Sequence, residues 1–303
     1  IMSADGNDDG LAPAVLPGAD AHEKLQNLCK LNFKQQAVWF MNAFWDDFAK
    51  DEGEKLWGYV EKCNEYDLQN TGVELDELNA HRFLEYYNET MTVRELRTQL
   101  RKVGAIEEKE RVKMVPLTHV LIFKYDVDWK RLVNSSQGDN AAELAEAQKK
   151  LDAAKKAVQL SQQREAESKK AQAELEAAAA ELKAQEDAYN NAIADCEKRS
   201  EVGGVVSRNR AKAELAQLKA EDPLPLRRAK ITNDASLKKA ERATKLAAEA
   251  LAAAQASFAE AEAYLEEAKK NASGGKGALW WIERELHEQK KYLPESKGGI
   301  KKN

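Results

Sequence analysis

Glycine, proline and cysteine are scarce in this 303-residue chain, with 15 Gly, 6 Pro and 3 Cys. So little Gly and Pro excludes the collagen-like and low-complexity classes. Cys29, Cys63 and Cys196 are odd in number and far apart. They form neither a disulfide framework nor a CxxC metal pair, and they point to a reducing, cytoplasmic setting. No stretch approaches the roughly 18–20 apolar residues of a membrane span, so no membrane partner is expected. Residues 1–22 are acidic and lack a basic n-region and an apolar h-region, so they read as a flexible N-terminus rather than a signal peptide. Reactive constellations are missing too. His22, His81, His119 and His287 are scattered, without HExxH, His-Cys or nucleophile-elbow context. Gly274–Gly277 (GGKG) lacks the other P-loop residues and reads as a hinge. A non-enzymatic protein is expected, and a net charge of −5 argues against nucleic acid as partner.

The residues that are present divide the chain. Residues 1–140 carry 25 acids and 17 bases, residues 141–270 carry 23 of each, and residues 271–303 carry 4 acids and 7 bases. All six Trp lie outside 141–270, which instead holds 37 Ala. Aromatic side chains build compact cores and Ala does not, because its side chain buries little area. The reading is all-α: a helical head over 23–135, an antiparallel coiled-coil hairpin over 141–271, a C-terminal docking helix over 277–293 and a basic tail over 294–303.

In the head, Phe33, Val38, Met41, Phe44, Trp45 and Phe48 recur at helical spacing. Leu56, Tyr59, Val60 and Cys63 mark a second helix, and Leu75, Leu78, Phe83 and Tyr86 a third. Thr92 with Glu95 forms a capping-box pattern for a fourth. The apolar run VPLTHVLIFK is read as a helix with Pro116 in its first turn, although Val120–Phe123 would also suit a buried strand.

In the middle, Leu237, Thr244, Leu251, Phe258 and Leu265 recur every seven residues, with Ala240, Ala247, Ala254, Ala261 and Ala268 three positions later. Such an a/d seam with Ala at one site lets two backbones approach closely. Leu144, Leu151 and Val158 supply one phase of the facing arm, and Leu175, Leu182, Tyr189 and Cys196 another. The 17-residue step between Val158 and Leu175 predicts a local disturbance of the supercoil. Gly203–Gly204 ends the first arm, a short helix over 208–220 follows, and Pro223 and Pro225 precede a return helix over 227–271. That return helix is shorter than the first arm, which would leave roughly 20 Å free for the head or another chain. In and beside the tip, 201–226, Arg199, Arg208, Arg210, Lys212, Arg227, Arg228 and Lys230 gather. They read either as ordinary helix-end charge or as a contact for an acidic partner.

Two segments invite an EF-hand reading, whose loop needs oxygen ligands at alternate positions, Gly at the sixth and Glu at the twelfth. Asp67, Gln69, Thr71 and Gly72 begin well, but the twelfth residue is Leu78. The second loop, 105–116, places Ala105, Glu107, Lys109 and Pro116 at the first, third, fifth and twelfth positions. Asp67, Gln69 and Thr71 are therefore the one candidate ion loop; no metal site and no cofactor are expected, calcium included.

KLNFKQQAVWFMNAFW in the head, GGVVSRNRAKAELAQLKAEDPLPL at the tip and GGKGALWWIERELHEQKK near the end resemble the calcium-regulated actin-bundling protein family. The resemblance implies an EF-hand-like head, a helical hairpin, a Trp-Trp helix and cross-linking of actin filaments in the cytoskeleton. The second loop departs from that pattern, which implies bundling without calcium regulation. Trp280 and Trp281, with Trp39 and Trp45, are expected structural anchors, and the Trp-Trp helix is expected on the head or the hairpin base. Lys290 and Lys291, with Lys297, Lys301 and Lys302, form a basic end suited to actin. Three functional readings stay open: an actin-filament cross-linker, a self-assembling filament or lattice subunit on the same scaffold, and a coiled-coil spacer or adaptor.

Overall fold

The computed structural model describes residues 10–87, 92–108, 113–220 and 223–300. The chain divides into two compact units, Ile1–Ala154 with Ser257–Lys291, and Lys155–Ala256 with Tyr292–Asn303. Of the expected flexible N-terminus, 1–22, residues 1–9 lie outside the described residues, as do Lys109, Lys301 and Lys302. In the remainder Leu16 is buried, Gln35 donates to the carbonyls of Gly10 and Leu11, and Asn27 donates to that of Pro17.

The first unit contains α1 (Ala21–Cys29), α2 (Phe33–Phe44), α3 (Gly53–Tyr66), β1 (Glu74–Leu75), α4 (Glu77–Tyr86), α5 (Val93–Lys102), β2 (Val115–Pro116), α6 (Leu117–Lys124) and α7 (Trp129–Asn134). Local chemistry sets the helix starts. Asn32 and Gln35 form a reciprocal capping box for α2, and Thr92 and Glu95 form one for α5. A π-helical turn, Trp45–Ala49, follows α2. The apolar run at 115–124 becomes a short strand and then α6, in which Leu117 to Ile122 are all buried. A helix apolar on every side belongs at the centre of a core, and α6 occupies that place against α1, α2 and α5.

The third predicted helix needs correction at its start. Asp76 caps α4 by accepting from the Asn79 N–H at 2.9 Å, so Leu75 precedes the helix and pairs with Val115 in the antiparallel β1–β2 ladder. Leu78 is 61 % exposed and Tyr86 is also exposed, whereas Ala80, Phe83 and Leu84 face the core. Two helix–loop–helix pairs joined by a short ladder are the EF-hand-like frame expected of the head.

Gln36 ties this frame together. Its Oε1 accepts from the N–H and hydroxyl of Thr118, both at 2.8 Å, while its Nε2 donates to the carbonyls of Leu31 and Val73. Four satisfied bonds on a buried amide fix how α2, α6 and the first loop meet. The second Gln of the Gln-Gln-Ala-Val motif is thus a structural hub, while the first is a cap.

The long helices are α8 (Ala141–Glu201), α9 (Val205–Ala220) and α10 (Leu224–Asn271). In the first unit Lys150 pairs with Glu260 at 2.6 Å, and in the second Ser168 meets Thr244 at 3.2 Å and Lys239 pairs with Glu174. Rising numbers on one arm meet falling numbers on the other, so the hairpin is antiparallel. The predicted disturbance in α8 takes a mild form. Between the buried Val158 and Ser168, Ser161 and Arg164 are half-buried at two successive three-residue steps, and the helix stays continuous.

The unpaired end expected on the first arm does not exist. α9 runs back along the last turns of α8: the Tyr189 hydroxyl donates to the Leu218 carbonyl at 2.9 Å, Lys219 pairs with Glu197 at 2.7 Å, and Arg199 with Glu214 at 3.1 Å. α9 and α10, of 16 and 48 residues, together match the 61 of α8. The return arm is a single antiparallel partner interrupted before Pro223. Pro225 falls in the first turn of α10, where its missing N–H leaves no bond unmade.

Candidate functional site

The candidate ion loop is closed on itself. Asp67 Oδ2 accepts from the Gly72 N–H at 2.6 Å and from the Thr71 hydroxyl at 3.2 Å, and Thr71 also donates to the Glu74 carbonyl at 2.9 Å. Asn70 and Gly72 take positive φ, which gives the loop its sharp turn. Gln69 reaches Asp76 at 3.4 Å rather than the loop centre. Burial, aided by the Asp67 charge, pushes the Glu74 carboxyl above its usual range. The twelfth position, Leu78, supplies no oxygen ligand and faces solvent. In the second loop Ala105 and Ile106 are buried. Among the described residues no three His, Cys, Asp or Glu side chains converge as a ligand set.

The basic residues of the tip fall into two groups. Arg208, Arg210 and Lys212 are exposed on the first turns of α9, while Arg227 and Arg228 are exposed on the first turns of α10, past its other end. Arg208 stands near the start of α9 and Arg227 near the start of α10, so the length of α9 from Arg208 to Ala220, roughly 18 Å, lies between the two groups along the chain. Arg210 is engaged by Glu214 at 3.2 Å, its neighbour one turn on. At the other end of the chain, Lys290 pairs with Glu262 and Lys291 with Glu288 at 2.6 Å. Both lysines are half-buried, so their charge is spent within the first unit.

The tryptophans build the seat of α11 (Lys276–Gln289). Trp281 is buried and packs on Trp57 with ring centroids 5.0 Å apart, while half-buried Trp280 lies over Gly53. Gly277 lets α11 press against Met41 and Asn42 of α2, and the Asn42 side chain accepts from the Ala278 N–H at 3.1 Å. Lys34 and Glu285 form a largely buried ion pair at 2.7 Å, and Arg284 reaches Glu54 at 2.9 Å while stacking on Trp57. Lys269 of α10 pairs with Glu283. The helix therefore docks on the head and on the hairpin base together. Trp39 is buried, with its indole N–H on the Leu132 carbonyl at 2.9 Å, and Trp45 is half-buried in the π turn. Sequence reasoning named the tryptophans, read Gly277 as part of a hinge although it lies inside α11, and missed Gly53 and Lys34. Their only signal is an unusual residue type on a helix face, and it acquires meaning once the partner helix is known.

Residues 139–273 match the family model described as F actin bundling C terminal. Over that segment the chain is similar to the actin-bundling family. No curated protein matches it. The crystal structure of the 34 kDa F-actin bundling protein from Dictyostelium discoideum is 21 % identical, covers 92 % of this chain and 99 % of that chain, and aligns with a TM-score of 0.47. The actin-bundling match spans the hairpin and stops before α11, so the Trp-Trp helix and the head stand on their own geometry.

Proposed function

We propose that this protein binds and cross-links actin filaments as a non-enzymatic component of the cytoskeleton, and that calcium does not regulate it. The observation that carries the reading is the actin-bundling match over the hairpin. The loop geometry supports calcium insensitivity: Asp67, the carboxylate at the loop's first position, is engaged by the loop's own backbone, and the closing position is Leu78. Bundling requires two filament contacts per particle, and self-association would supply the second. A filament-forming scaffold that exploits a free arm end loses one of its supports, because α9 covers that end.

Low-speed co-sedimentation with filamentous actin tests the proposal. Actin should pellet in the presence of the protein, equally with calcium and with chelator. Actin remaining in the supernatant at low and moderate salt would overturn it. Reversal of Arg208 and Arg228 to Glu should weaken an electrostatic contact; unchanged pelleting would place the contact elsewhere on the hairpin.

A further inference from the structure

Three of the four most exposed large aliphatic side chains among the described residues of the second unit sit at the turn between α8 and α9; the fourth, Ile231, is 70 % exposed and belongs to α10. Val202, Val205 and Val206 flank Gly203–Gly204 and are 74 %, 64 % and 85 % exposed. Helical geometry explains why the last two face water. Ala211 is the buried residue of α9, and positions five and six residues before it lie at least a third of a turn from its direction. Around these valines stand exposed cations, Lys198, Arg208, Arg210 and Lys212, with Glu201 as the one acid between 198 and 212. Arg210 is engaged by Glu214, while Arg208 and Lys212 make no ion pair among the described residues.

We propose that this turn is a contact for an anionic bilayer surface, with the valines entering the boundary between headgroups and acyl chains and the cations meeting the headgroup charges. Cations alone would suit any acidic surface. Three adjacent exposed valines inside a basic collar are different, because they gain only where apolar matter lies directly beneath negative charge. A bilayer rich in acidic phospholipid has that layering and needs no shaped pocket to receive them. The contact requires no spanning helix. It is also local: screening confines each charge to about 8–10 Å, so the cations of the turn itself set the attraction. This proposal stands independently of actin binding.

Co-sedimentation of the full chain with lipid vesicles tests it, using phosphatidylcholine alone and phosphatidylcholine mixed with phosphatidylserine. The protein should pellet with the mixed vesicles and stay in solution with phosphatidylcholine alone. The double variant Val205→Asp with Val206→Asp, and separately Arg208→Glu with Lys212→Glu, should each lower binding about tenfold or more. All four side chains are exposed, so circular dichroism and the thermal melt should not change. Absence of pelleting with mixed vesicles, equal pelleting with neutral ones, or full binding by the valine variant would overturn the proposal.

Discussion

The indole of Trp280 lies on the bare Cα of Gly53, and a Cβ added there would fall 2.7 Å from ring atom Cζ2. These residues belong to α11 and α3, far apart in sequence, and the contact sets how closely the Trp-Trp helix sits on the head. Gly53→Ala should overpack this contact and destabilise the protein by about 1–3 kcal/mol, since an indole ring cannot fold aside. Gly58→Ala on the same helix is the control. Its Cβ would meet only the end of the Tyr87 side chain at 3.4 Å, so helix propensity should leave it neutral or gain up to about 1 kcal/mol. Denaturant midpoints read both; equal midpoints would refute the close seat.

Burial, with Arg97 adding repulsion, holds the His119 imidazole down to about 4 from its ordinary 6.5. The unfolded chain therefore binds a proton between those values that the folded chain refuses. Stability from this residue is complete above about pH 6.5 and is lost progressively as pH falls toward 4, by about 3 kcal/mol in total. His119→Leu should flatten this part of the stability profile. The raised Glu74 carboxyl acts with the opposite sign and is present in both proteins, so the difference between the two profiles isolates His119. Parallel profiles would contradict the assignment.

Calcium titration by calorimetry should show no site tighter than roughly millimolar, the weak end of EF-hand affinities. Binding would require Asp67 to release the Gly72 N–H and would still lack a closing carboxylate. A saturable isotherm in the micromolar range would restore calcium regulation to the protein.

Ala254 is fully buried in the seam of α10, whereas Ala252 two positions earlier is exposed. Ala254→Leu should force the seam apart and cost about 1–3 kcal/mol, while Ala252→Leu should stay within about half a kcal/mol of the parent. Thermal unfolding followed by circular dichroism distinguishes them. Equal melting temperatures would mean that the Ala register does not form the seam.

Much of the architecture was legible. Thr92–Glu95 announced the start of α5, and the Ala register marked the seam at Ala240, Ala254, Ala261 and Ala268, all buried, while Ala247 of the same register is half-buried. The large-residue positions of that pattern misled in part: Leu237 shares the heptad with Phe258 and Leu265, yet it is exposed while the latter two are buried, and Thr244 is exposed although its hydroxyl meets Ser168 of the facing arm. A heptad fixes the direction of a side chain, and the facing helix decides whether anything covers it. Leu75 misled for a related reason, since apolar spacing cannot show that Asp76 would take the cap.

By itself the sequence determined the all-α class, the long arms, the turn at Gly203–Gly204 and the need of Trp280 and Trp281 for a core. These depend on interactions within a few residues, where side-chain spacing and capping chemistry suffice. Only the tertiary structure decided that α9 covers the end of α8, that the tip cations form two groups, and that Lys290 and Lys291 are already paired. It likewise made Gln36 a hub and Gly53 a seat. Each of these depends on which distant atoms come within a few ångströms, and residue order encodes that only through the completed packing.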